Sequence, residues 1–331
     1  VKKLLALVLI LALGWSAYWV IGSRSAKGAF EGWFADRRAE GWQADYADLS
    51  VRGFPNRFDT TFTDLAIADP ATGWAWEAPF FQLLALSYQP TRVIAVFPPE
   101  STVATPIERL AVTAGDLKAS LSLSPAPRLP LERATFVGSD ITVGGEAGAS
   151  VGTLRLATEL KAETEATYRY GVLTEGVTVP DVLLSRLAQG ISLPPVLTRL
   201  ELDMDTAFDR PWDLDALERA RPQPQQIVLR KAEGVWGELQ LAATGTLDID
   251  ALGQPEGEIA IKAERWREML GVAVNAGVLP GGVADQVEKG LSFLANLTGR
   301  PDSLNVTLTF SGGRVYLGPV PLGPAPIIRL R

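Results

Sequence analysis

The sequence contains no cysteine and no histidine. Without cysteine there is no disulfide, no thiolate nucleophile and no thiolate metal site. Without histidine the commonest general base and commonest transition-metal ligand are gone. A Ser-His-Asp triad and an ordinary zinc centre are therefore excluded, and the composition points away from an enzyme. Methionine is scarce, and basic residues are outnumbered, 31 against 38 acidic ones, for a net charge of −7. An acidic chain does not suit nucleic acid, whose phosphates need a basic surface.

The charge deficit has one sharp local form. From Leu4 to Ile21 no residue is charged. A helix of that length reaches about 27 Å, close to the hydrocarbon thickness of a bilayer. Leu4, Leu5, Leu7, Val8, Leu9, Ile10, Leu11 and Leu13 form its apolar body, and Val20 and Ile21 close it. Trp15, Tyr18 and Trp19 gather toward the far end, where amphipathic rings favour the headgroup layer. Lys2 and Lys3 precede the run, and lysine-rich flanks stay on the cytoplasmic side. The expectation is one transmembrane anchor with its amino end inside and everything after Gly22 outside the cytoplasm. A cleaved secretory signal is the alternative. It would need small residues at the cleavage point, and Gly22-Ser23-Arg24-Ser25-Ala26 places Arg24 badly for it. Leaving Lys2 and Lys3 out of the 31 basic residues gives the exported part 29 against 38 acidic ones, a net of −9. Broad electrostatic docking on anionic lipid is not expected of such a body.

Ser25 to Gly41 predicts a juxtamembrane helix, with Phe30, Trp33, Phe34 and Arg37 at i, i+3, i+4 and i+7. Its aromatic stripe suits either packing on the following domain or lying in the membrane interface. From Ala44 the period changes to two. Leu117, Ala119, Leu121 and Leu123 alternate with Lys118 and serines. Leu154 to Ala162, Leu200 to Asp205, Leu247 to Asp250 and Leu304 to Ser311 behave alike. Such alternation predicts antiparallel strands with one apolar and one wet face. Turn residues separate them at Gly53-Phe54-Pro55-Asn56, Asp69-Pro70, Gly144-Gly145, Leu252 to Pro255 and Gly312-Gly313. Short helices are expected at 180–189, 213–220, 264–276 and 283–297, the last two parted by Val278-Leu279-Pro280-Gly281-Gly282. The fold class is therefore mainly β, one or more large twisted antiparallel sheets with a few helices, preceded by one N-terminal transmembrane helix. Four parts follow: anchor or uncleaved signal 1–22, juxtamembrane helix 23–43, and two β-rich halves, 44–198 and 199–331, the latter with two helices.

Candidate chemistry fails on inspection. Gly148-Ala149-Ser150-Val151-Gly152 has the G-x-S-x-G spacing of a nucleophile elbow, but no histidine exists to activate the serine, and a strand follows. Glu201, Asp203 and Asp205 share a strand face, where side chains splay rather than converge on a cation. A hydrolase would need two converging carboxylates, and no pair stands out. Trp74 and Trp76, two residues apart before Pro79, share one strand face that either caps a sheet or lines an apolar groove.

Several stretches together resemble an alphaproteobacterial family known as domain of unknown function 2125. They are Gly53-Phe54-Pro55-Asn56-Arg57, then Trp74-Ala75-Trp76-Glu77-Ala78-Pro79, then Ala85 to Pro98. Gly245 to Asp250, Gly253 to Gly257 and Leu317 to Pro324 fit as well. The resemblance implies an envelope protein with an N-terminal anchor and supplies no activity. The C-terminal pattern is also loosely similar to AsmA-like envelope proteins, which implies lipid traffic or outer-membrane assembly by analogy. The resulting expectation is a non-enzymatic protein of the bacterial inner membrane with a periplasmic body that binds or passes lipid or another apolar ligand. No cofactor, metal or nucleic acid enters it. A periplasmic scaffold that binds other envelope proteins is the alternative.

Overall fold

The computed structural model describes residues 1–144, 148–277, 281–297 and 300–330. It opens with one unbroken helix, α1 (Lys2–Ala39), 38 residues long and about 57 Å at the usual rise. The anchor and juxtamembrane helix expected as separate pieces are thus one element. Gly22 and Ser23 do not interrupt it, and Gly22 instead lets the Phe58 ring pack closely against the helix. The 18-residue apolar window has no buried residue, and its length and composition suffice to cross a membrane.

The chain divides into two compact units. The first takes residues 1–125 and 136–146, the second residues 126–135 and 147–331. The boundary expected between residues 198 and 199 lies inside the second unit.

In the first unit, α1 is followed by β1 (Gln43–Asp45), β2 (Asp48–Arg52), β3 (Arg57–Asp69), β4 (Trp74–Leu86) and β5 (Gln89–Val96). Then come β6 (Glu100–Ala104), β7 (Arg109–Thr113), β8 (Asp116–Leu123) and β9 (Leu131–Val143), whose residues from Phe136 belong here. All pairs are antiparallel. β3 carries β1 and β2 on one edge and β4 on the other. The far edge of β4 forks, pairing β6 through Ala75–Glu77 and β5 through Gln82–Leu86. Pro79 sits in the gap of the fork, where its missing N–H costs no ladder bond. Opposite it, Asp64 takes a positive φ of 47°. Cross-strand partners share a face, so Leu83, Ala95 and Ala119 lie on one side, as do Ala85, Val93 and Leu121. Ile94 and Ser120 lie on the other with Leu84. The core buries Phe34 of α1 with Ala44, Leu49, Phe62 and Leu65.

The second unit is a meander. β10 (Ala149–Leu160), β11 (Thr167–Thr178), β12 (Val196–Phe208), β13 (Pro224–Trp236), β14 (Leu239–Ile249), β15 (Pro255–Glu264), β16 (Ser303–Ser311), β17 (Arg314–Leu317) and β18 (Val320–Pro324) each pair with the next. The apolar alternation joins Leu156, Val172, Leu202, Ala232, Ala243, Ile261 and Val306 in one cross-strand row. Helices α2 (Asp181–Leu187), α3 (Leu214–Glu218), α4 (Trp266–Asn275) and α5 (Gly281–Leu297) occupy the connections. Asp213 caps α3 by accepting from the Ala216 N–H at 3.0 Å. Trp266 of α4 and Val287, Leu291 and Ala295 of α5 bury against Ala263, Leu304 and Leu317. The expected break at Val278-Leu279-Pro280 and the glycine-rich turn at Gly145 lie outside the described residues.

Candidate functional site

The strongest feature is an apolar groove between α1 and the sheet of the first unit. Its geometry begins with how α1 is held. Gly53, at φ +102°, closes the turn before β3, and a Cβ there would meet the Arg57 backbone at 3.0 Å. The Arg57 N–H returns to the Gly53 carbonyl at 2.8 Å. This fold turns the carbonyls of Pro55 and Arg57 outward. The Trp15 indole N–H donates to Pro55 O at 2.9 Å, and that of Trp19 to Arg57 O at 2.7 Å. The Tyr18 hydroxyl donates to the carbonyl of fully buried Ser87 at 2.5 Å. Trp19 also meets Phe54 edge-on at 5.4 Å, and Phe58 lies against Gly22, where a Cβ would come within 2.6 Å of its ring. The rings expected to float at the headgroup layer are thus also fastened to the body. The remaining anchor residues, Leu4, Leu5, Leu7, Val8, Leu9, Ile10, Leu11, Leu13, Val20 and Ile21, are exposed.

Two to three turns further along, α1 and the sheet enclose a cavity of about 390 Å³. Ala29, Phe30, Trp33 and Phe34 supply the helix side. Phe62, Leu65 and Ile67 of β3 and Trp76, Phe81 and Leu83 of β4 supply the floor. No side chain in this lining carries a charge. Strict alternation would put Phe62 and Leu65 on opposite faces, and likewise Trp76 and Phe81. The irregularity at Asp64 and Pro79 reverses both strands together, so each contributes apolar side chains on both sides of it. The rings continue as a row: Phe30 to Phe62 at 5.3 Å, Phe62 to Phe81 at 6.3 Å, Phe81 to Phe97 at 5.2 Å, Phe97 to Phe136 at 6.0 Å. On that same sheet face Leu121 is 40% exposed.

The two motif tryptophans part company. Trp76 lines the groove, while Trp74, beside the β3–β4 turn, is 55% exposed. Sequence reading found the aromatic stripe of α1 but not its partners Phe62, Leu65, Ile67, Phe81 and Leu83. The available signal was the doubled reversal of parity at Asp64 and Pro79.

The acidic strand face has a different character. Arg169 grips Asp203 through two bonds, at 2.9 and 2.7 Å. Lys161 reaches Asp205 at 2.6 Å, Arg230 joins it, and Lys231 and Arg199 hold Glu201 at 2.8 and 2.6 Å. The Arg169 bond holds the Asp203 carboxyl below its usual range. Burial works against the charge of Asp205, and Lys161 and Arg230 outweigh it, leaving that carboxyl lowered too. These carboxylates are neutralised by side chains and stand as a structural lattice. Ser150, centre of the elbow-like motif, opens β10 and donates to Thr178 Oγ1 at 2.7 Å. A second concavity, about 530 Å³ and open to solvent, includes Asp64, Glu77 and Glu100, with Glu77 tied to Arg109 at 2.7 Å.

A family model described as an uncharacterized protein conserved in bacteria, DUF2125, matches residues 19–326. The chain belongs to that family. No curated protein and no solved structure matches it. The DUF2125 match begins at Trp19 and so takes in the part of α1 that lines the groove, together with both strands of its floor. The groove is therefore a feature of the DUF2125 region rather than of the apolar run before it.

Proposed function

We propose that this DUF2125 chain is anchored in the bacterial inner membrane, amino end inside and body in the periplasm, and holds or passes a lipid acyl chain in its groove. The observation that carries this reading is the placement of an uncharged groove on the helix that forms the span. Ala29 lies eight residues beyond Ile21, about 12 Å along the axis. An apolar molecule leaving the bilayer beside α1 meets this groove first. Its volume, about 390 Å³, falls in the lower part of the roughly 300–1,000 Å³ range of small-molecule pockets and suits one chain better than a whole phospholipid. Each methylene removed from water contributes about 0.8 kcal/mol, so a chain in the groove is far better placed than one in water. Lipid tails are themselves as apolar as the groove walls, so exchange with the bilayer is close to balanced. Near-balance suits passage rather than storage. The ring row toward Phe136 extends the same surface.

The test uses the full chain released from phosphatidylethanolamine–phosphatidylglycerol vesicles into mild detergent. Native mass spectrometry should find phospholipid at a defined ratio, lost in Ala29→Trp, which adds a ring to the groove lining from an exposed position. A lipid-free mass, or equal retention by Ala29→Trp, would sink the reading and favour the scaffold alternative, for which the exposed Trp74 and Ile107 offer contact points.

A further inference from the structure

Three donors on α1 tie a loop and a turn of the first unit to the apolar run. The uncharged run from Leu4 to Ile21 is bounded by Lys3 and Arg24. At about 27 Å it has no length to spare against a hydrocarbon core of about 30 Å. Trp15, Tyr18 and Trp19 lie inside this run, and each gives its only side-chain donor to a backbone carbonyl of the first unit: Pro55, Ser87 and Arg57. Trp15 is six residues short of Ile21 and Trp19 two, so the loop meets the helix about 3–9 Å below the outer end of the run. Amphipathic elements at the headgroup–acyl boundary sit about 5–10 Å deep. Irregular backbone is tolerated there only when its polar groups are satisfied. These carbonyls are, by the helix itself. Two large rings turn outward from the same place, Phe54, 55% exposed, and Tyr88, 58%. The polar side chains exposed beside them include Asn56 and Arg57, the latter paired with Asp59 at 2.9 Å and long enough to keep its charge in the headgroup layer.

We infer that the loop at Gly53–Arg57 and the turn at Leu86–Tyr88 form a foot that enters the outer face of the phospholipid bilayer, with Phe54 and Tyr88 in the headgroup–acyl layer. The foot rests on the anchor reading above and adds a second, lipid-contacting point to it. It sets the height of the groove over the bilayer, since β3 runs from the foot at Phe58 to the groove at Phe62. It also accounts for Phe54 being apolar and uncovered at a turn tip.

The absence of cysteine makes the test direct. Single nitroxide labels are placed in the full-length chain at Ile10→Cys, Phe54→Cys, Tyr88→Cys and Ile107→Cys, in phosphatidylcholine–phosphatidylglycerol nanodiscs. Collision with oxygen, which prefers lipid, is compared with collision with a water-soluble nickel chelate. The oxygen-to-nickel ratio should be highest at 10, several-fold above the 107 value at 54 and 88, and lowest at 107. Ratios at 54 and 88 equal to that at 107, with 10 still in lipid, overturn the foot and leave the anchor standing. A water-like ratio at 10 overturns both. Labels at 54 and 88 shielded from both probes overturn the foot in favour of a protein contact. Tyr88→Cys guards against disturbance at Phe54, which touches Trp19.

Discussion

Asp205 is the most buried acid of the strand lattice, with 7% of its side chain exposed and two cations on one oxygen. Its carboxyl and that of Asp203 titrate below their ordinary range in the folded chain. A lowered folded value means stability that is present above the unfolded value near 4 and is lost as pH falls through the folded one. Thermal melts followed by circular dichroism should hold level from pH 7 to about 5 and fall below about 4. Asp205→Asn should be less stable at neutral pH, by about 1–3 kcal/mol, and lose less on acidification. An unchanged acid limb in that variant would remove Asp205 from the account. In the other unit Phe34, 3% exposed, joins α1 to the sheet. Phe34→Ala should cost about 3–5 kcal/mol in urea unfolding of the detergent-solubilised chain. A loss under 1 kcal/mol would mean that α1 is held by its outer contacts alone.

Among the elements, β14 and β15 approach more closely than side chains allow. A Cβ on Gly245 would lie 2.1 Å from the Glu258 carbonyl oxygen, and one on Gly257 2.2 Å from that of Thr246. Both contacts are with backbone, so nothing can swing aside. Gly245→Ala should therefore lower the melting temperature sharply, whereas Gly171→Ala, where a Cβ meets nothing within 4 Å, should leave it nearly unchanged. Equal shifts in the two variants would contradict the close approach. The element scale is also where sequence reading worked best. Helices expected at 180–189, 213–220, 264–276 and 283–297 correspond to α2 to α5, because proline, aspartate and glycine mark their ends locally. The alternation of Leu117 to Leu123 and Leu304 to Phe310 correctly gave β8 and β16. What escaped it is non-local. The groove depends on which apolar residues of β3 stand opposite which of β4, Phe62 to Phe81 and Ile67 to Trp76, across an irregularity that no two-residue period contains. The bonds from Trp15 and Trp19 span 40 and 38 positions to carbonyls that any residue could offer, so no side chain advertises them.

At the scale of the whole molecule, α1 meets the rest of the first unit in two places, at Trp15–Gly22 through the Gly53–Phe58 stretch and at Phe30–Phe34 through the core. Two attachments on one unbroken helix leave no hinge between its apolar run and the unit. Nitroxides at Ile10→Cys and Ile107→Cys in one chain should give a single narrow distance distribution by double electron–electron resonance in nanodiscs, and a broad one would contradict rigid attachment. The continuity of α1 also bears on how such a protein is handled. Apolar N-terminal helices are commonly treated as interchangeable handles, trimmed off or swapped for another protein's. Here the handle supplies the hydrogen-bond donors for Pro55, Ser87 and Arg57 and the wall against which Phe58 rests. A body cut free at residue 22 would carry bare carbonyls and an uncovered ring where its own helix had been. A grafted span would restore that surface only if it placed two indoles and a phenol at the same heights.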